Sequence, residues 1–232
     1  MSKLLNVSSS PHVRCGVSTK NLMYDVAIAM LPATIWGVMQ FGIYSLIVVV
    51  ATVLSCVLSE YLFETLMHKP VTISDGSALV TGMILGLNMP PAIPLWMPIL
   101  GGVFAIIVVK QLYGGLGQNW MNPALAARCF MLISFAQAMT KFTDPVTDAV
   151  ASATPLAAIK AGDTYDLAAM FIGKIPGTIG EVSVIALLIG AAYLLVKKVI
   201  TIRIPAAYIL SFAVFAFIFG QHNINYVLAE VC

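Results

Sequence analysis

The chain has 232 residues, 60% of them hydrophobic and 9% charged, with a formal charge of +2 and a mean hydropathy of +0.96. A soluble domain carries about 25% charged residues, so this composition excludes a soluble globular fold and points to an integral membrane protein. With no basic arm or patch, nucleic acid is excluded as a partner.

Residues 1–21 form a polar tail with Lys3, Arg14 and Lys20. They lack an apolar core followed by a small-residue cleavage site, so the first span is expected to act as an uncleaved signal. A helix needs about 20 apolar residues to cross the hydrocarbon core. Leu22–Met39 reads as the first span and Ile43–Leu66 as the second, joined in an antiparallel hairpin, and no Asp, Glu, Lys or Arg occurs from Val26 to Ser59. Leu95–Val109 reads as a third span, Val182–Val196 as a fourth and Ile204–Phe219 as a fifth.

Two apolar segments break this pattern. Gly76–Met89 is short and runs into Pro90-Pro91, and Asn122–Met139 contains Arg128 and follows Gly114-Gly115-Leu116-Gly117-Gln118-Asn119. Short segments interrupted by Gly and Pro mark discontinuous helices around a site at membrane depth. The expected fold class is therefore an all-α polytopic membrane protein with transmembrane helices and re-entrant half-helices. It divides into a tail (1–21), a helical block (22–139), an external loop (140–181), a helix pair (182–219) and the start of a further apolar element (220–232). That last element makes the sequence read as the front part of a longer protein.

Orientation follows the positive-inside rule. Lys197–Arg203 holds three basic residues in seven, whereas the loop Lys141–Glu181 has three Lys against five acids. The N-terminus is accordingly expected in the cytoplasm and the loop on the outer face.

The four cysteines (Cys15, Cys56, Cys129, Cys232) show no Cys-x-x-Cys spacing, so they read as separate thiols. Cys129 as one ligand of a metal shared with another subunit is the alternative. Glu60 and Glu64 are four apart on one helix face. They read as an interfacial anchor, with a cation relay as the sharper alternative, and Asp25 poses the same question. Asp75, with Ser74 and Ser77, reads as the cap of a half-helix. Asn88, Asn119 and Asn122 either bond unwound backbone or line a cofactor or ion site. Arg128, ionisable at membrane depth, pairs with a bound anionic or carbonyl group, caps a half-helix C-terminus, or snorkels to the surface. Trp36, Trp96 and Trp120 are interface anchors or rings flanking a bound cofactor.

Within the outer loop, Ser152-Ala153-Thr154-Pro155-Leu156 is a helix start. Threonine is a favoured N-cap and proline a favoured first residue. A helix N-terminus also presents free N–H groups to an anion, so a phosphate esterified to Thr154 fits the same geometry.

Five blocks together resemble the RnfD family, which is related to a membrane component of the Na⁺-translocating NADH:quinone reductase. They are Ser9-Ser10-Pro11-His12, Asp75-Gly76-Ser77-Ala78-Leu79-Val80-Thr81-Gly82, Leu87-Asn88-Met89-Pro90-Pro91, Gly114–Asn119 with Met121-Asn122-Pro123-Ala124, and Ser152–Leu156. The resemblance implies a membrane electron-transfer subunit of an Rnf-type ferredoxin:NAD⁺ oxidoreductase in the prokaryotic inner membrane. It implies FMN placed on Thr154 by a flavin transferase, with electron flow coupled to Na⁺ or H⁺ movement. The family's acceptor pattern is Ser/Thr-Gly-Ala-Thr, from which Ala151-Ser152 departs. The expected cofactor-binding residues are Thr154, Ser152, Pro155, Asn119, Asn122 and Arg128, with a second, unattached flavin such as riboflavin. Partners would be membrane, flavin and iron–sulfur subunits. The family's similarity to urea-transporter folds leaves a solute channel as the rival reading.

Overall fold

The computed structural model describes residues 18–143, 150–151 and 171–219. Helix α1 spans Thr19–Phe41 and α2 spans Ile43–Leu66. Ser18 caps α1 by accepting from the Asn21 amide, and Gly42, at φ +81°, makes the turn between the two. These helices are long and apolar enough to cross a membrane.

After a 3₁₀ turn at Ile73–Asp75, α3 (Ser77–Leu87) runs back along α2. It is 11 residues long and buried along most of its length, so its rise of 1.5 Å per residue gives about 16 Å. It fits against α2 because Gly82 and Gly86 bring the two backbones together. An added Cβ on Gly82 would lie 2.6 Å from Val53 Cα. Helix α4 (Trp96–Val103) continues into a π-helical stretch, Phe104–Gln111, and both pack on α2. Ser55 Oγ donates to Ile99 O at 2.8 Å, and Tyr44 Oη donates to Ile93 O at 2.9 Å.

Helix α5 (Pro123–Ser134) starts at Asn122, whose side chain accepts from the Ala124 and Leu125 amides, with Pro123 as first residue. It returns beside α4, with Phe130 stacked on Phe104 and Phe135 edge-on to Trp96. The four-residue α6 (Ala136–Met139) leads to a two-residue antiparallel ladder, β1 (Phe142–Thr143) with β2 (Val150–Ala151). Helices α7 (Val184–Val196) and α8 (Arg203–Phe219) follow. The core joins Val48 and Val49 of α2, Leu85 and Leu87 of α3, Ala124, Ala127 and Met131 of α5, and Ile179.

The two long spans and both short segments thus form helices close to where the sequence places them. The other three spans are shorter than a full crossing. Trp96–Gln111, α7 and α8 fall within 10–17 residues. For α7 the reason is local: Ser183 caps it late, and a positive φ at Lys198 ends it. The structure also shows where residues 173–183 go. Ile179 and Gly180 donate their amides to Met89 O and Leu87 O at the end of α3, at 3.1 and 2.8 Å. Ile179 is fully buried, and Gly37 of α1 admits it, since a Cβ there would lie 2.1 Å from Ile179 O.

Candidate functional site

A buried polar chain links α2, α3 and the π-helical stretch. Glu60 on α2 is 0% exposed and Lys110 1%. Lys110 Nζ lies 2.5 Å from Glu60 Oε1 and 2.6 Å from Ser77 Oγ. Ser77 Oγ in turn donates to Asp75 Oδ1 at 2.6 Å. Gln111 Nε2 donates to Glu60 Oε1 at 2.9 Å and to Glu64 Oε1 at 3.2 Å. Glu64 also accepts from the Thr72 hydroxyl at 2.5 Å and from its amide at 2.9 Å. Glu60 and Glu64, read from the sequence as an interfacial anchor or a cation relay, are both buried in the protein among polar partners near the end of α2. Sequence reasoning missed Lys110 and Gln111 because the apolar run ends at Val109, and a charge there reads as the end of a span. Sequence alone does not show that Lys110 meets Glu60, 50 residues away. Asp75 does cap the half-helix, accepting from the Ser77 amide at 2.8 Å.

At the other end of α3, Asn88 donates to Ile84 O at 2.8 Å and accepts from Arg128 Nη1. Arg128 therefore stands at the carbonyl end of a half-helix, where a cation complements the helix dipole.

Asn119 and Asn122 lie elsewhere. Asn122, Leu125, Ala126 and Cys129 form the face of α5 that lines a cavity of about 370 Å³ with Tyr113 and Trp120. The Tyr113 and Trp120 rings are 6.3 Å apart. Asn119 Nδ2 donates to Met121 O at 3.5 Å, and its Oδ1 has no hydrogen-bond partner among the described residues. Helix α5 thus separates the expected cofactor residues, with Arg128 on one face and Asn122 on another. Among the tryptophans, Trp120 borders this cavity while Trp96 packs on Phe135.

Asp25 ties α1 to α7. It accepts from Tyr193 Oη at 2.9 Å and lies 3.9 Å from Lys197 Nζ. Ser152, Thr154 and Pro155 lie outside the described residues. The flanking ladder pairs Ala151 with Phe142, and Gln40, at the α1–α2 turn, donates to Gly173 O at 2.8 Å. Both flanks of the loop are thereby described, while Thr154 is not.

Comparison with known proteins adds the lineage. Residues 6–231 match the model of the NQR2, RnfD, RnfE family. The chain is 46% identical over 231 residues to the D-type subunit of the Na⁺-translocating ferredoxin:NAD⁺ oxidoreductase complex of Acetobacterium woodii, covering 97% of this chain and 73% of that protein. It is 39% identical to the D-type subunit of the proton-translocating ferredoxin:NAD⁺ oxidoreductase complex of Clostridium ljungdahlii, covering 94% and 70%. It is 31% identical to the D-type subunit of the ion-translocating oxidoreductase complex of Methanosarcina acetivorans, covering 93% and 69%. The chain therefore belongs to the NQR2, RnfD, RnfE family, among its RnfD members.

Proposed function

We propose that this chain is a membrane electron-transfer subunit of an ion-translocating ferredoxin:NAD⁺ oxidoreductase complex, carrying FMN as a phosphoester on Thr154. The observation that carries this reading is the family match across residues 6–231, joined to Ser152-Ala153-Thr154-Pro155 at the expected acceptor position. By sequence, small residues precede the threonine and Pro155 is a type favoured at a helix start, where free N–H groups suit a phosphate. The two relatives named for their ion, one Na⁺ and one proton, support a role in ion translocation.

For an unattached flavin, the cavity beside α5 fits by chemistry. Tyr113 and Trp120 offer aromatic faces, and the Asn122 amide offers polar contacts at the rim. Flavins supply an electron carrier whose charge changes on reduction, and in a low-dielectric surrounding that charge attracts a cation. The chain's own part is to hold such rings, keep water out with apolar walls, and keep ionisable groups at membrane depth. Intramembrane pairs such as Glu60–Lys110 mark ion pathways. In this reading the protein sits in the cytoplasmic membrane with the Thr154 loop outside. It works beside flavin and iron–sulfur subunits and is matured by a flavin transferase.

The test is a denaturing gel viewed under ultraviolet light, with protein produced alongside the transferase. The expected result is yellow-green fluorescence in the band, abolished in Thr154→Ala. A dark wild-type band would refute the attachment. A dark band joined to solute uptake in vesicles would favour the channel reading.

A further inference from the structure

Glu60 is six residues from the end of α2 at Leu66, about 9 Å along the helix axis. Its Oε1 is held by Lys110 and Gln111, but its Oε2 has no hydrogen-bond partner among the described residues, although the residue is fully buried. A buried carboxylate oxygen is an expensive group to leave unpaired. Lys110 contacts two oxygens there, Glu60 Oε1 at 2.5 Å and Ser77 Oγ at 2.6 Å. Those oxygens, with the free Oε2, form a ligand set for a small hard cation, and the ammonium stands in its place.

Charge and geometry both restrict the occupant. Glu60, Glu64 and Asp75 are linked through Gln111, Lys110 and Ser77, yet among the described residues no three acidic, His or Cys side chains converge as a metal site. One carboxylate with one hydroxyl oxygen suits a weakly held monovalent cation, whereas a divalent ion would need more charge. Exchanging one ammonium for one monovalent cation leaves the buried charge unchanged. Lys110 lies in a π-helical stretch, a backbone form frequent at functional sites.

We propose that Lys110 is a tethered cation that occupies the Glu60 site and is exchanged there for the translocated monovalent cation, Na⁺ or H⁺. This rests on the ion-translocating reading above and names the residues that would carry it. For Na⁺ the step is a swap of ligands on Glu60 and Ser77 with no covalent change; for H⁺ the proton bonds to a Glu60 carboxylate oxygen as the Lys110 ammonium withdraws.

The test uses the purified chain for cation binding and the complete complex in vesicles for uptake. Thermal unfolding is followed against NaCl at fixed pH and ionic strength, with KCl as the balancing salt, and then against pH at fixed salt. With Lys110→Met the site loses its internal competitor. The apparent affinity for Na⁺ is expected to rise at least tenfold, or, if the site takes protons, the stabilisation is expected on acidification instead. The effect should vanish in Glu60→Gln/Lys110→Met, and Lys110→Arg, which keeps the charge, should respond like wild type. If Lys110→Met proves unstable, Lys110→Gln supplies the same measurement with a polar replacement. Folded variants lacking Lys110 whose Na⁺ and pH responses match wild type would overturn the exchange and leave a static ion pair. Wild-type complex that moves no ion, with tightened binding in Lys110→Met, would fail the translocation reading while the exchange stands.

Discussion

Gly82 is where α3 crosses α2, and replacing it with alanine tests the packing that places both ends of the buried network. An alanine Cβ would lie 2.6 Å from Val53 Cα, 3.2 Å from Val53 N and 3.2 Å from Val53 Cγ2. Two of these are backbone atoms, so no rotamer change of Val53 relieves them and the helices must separate. Overpacking of this kind costs about 1–3 kcal/mol, and a Gly→Ala change gains back about 0.4–1 kcal/mol from the unfolded chain. The net expectation is a loss of about 1–2 kcal/mol, or roughly 2–8 °C in unfolding temperature for a chain of this size. Gly101→Ala in α4 is the control. Its nearest neighbours, Leu85 Cδ2 and Met131 Cγ, are both at 3.5 Å, so it should match or slightly exceed wild type. The assay is thermal unfolding of the purified protein in detergent. Gly82→Ala unfolding at or above the wild-type temperature would refute the close α2–α3 approach.

Three further expectations follow from particular contacts. Arg128→Leu removes the charged partner of Asn88 and should cost about 1.5–3 kcal/mol, with no loss of flavin from Thr154 by in-gel fluorescence. Ile179→Ala opens a hole in a fully buried position and should cost about 2–5 kcal/mol by thermal unfolding; a neutral result would mean that residues 173–183 do not insert. Asn122→Ala removes the N-cap of α5 and should cost about 0.5–2 kcal/mol. It should also lower retention of added riboflavin measured by fluorescence quenching, an effect absent from Arg128→Leu.

What the sequence shows and what it hides divide along physical lines. Ile43–Leu66 reads as one uncharged run up to Glu60 with a glycine before it, and α2 has those same bounds. Pro90-Pro91 and the glycine run before Pro123 mark the end of α3 and the start of α5 for the steric reasons that make Gly and Pro punctuate helices. Capping by Asp75 and Asn122 is local and legible. Long-range pairing is not. Nothing near Lys110 in sequence points to Glu60, and nothing in Gly-Lys-Ile-Pro-Gly-Thr-Ile-Gly tells a surface loop from a segment whose amides pair with the open carbonyls of α3. Asn119, Asn122 and Arg128 lie close in sequence, yet the helical repeat turns Arg128 away from the cavity that Asn122 borders.

Peptide-level tandem mass spectrometry of protein produced with a flavin transferase tests the central claim most directly. The expected result is a fragment spanning Ser152–Leu156 with one FMN phosphoryl group on the Thr154 hydroxyl, and none on Ser152. An unmodified Thr154 in that preparation, or FMN carried on another residue, would contradict it.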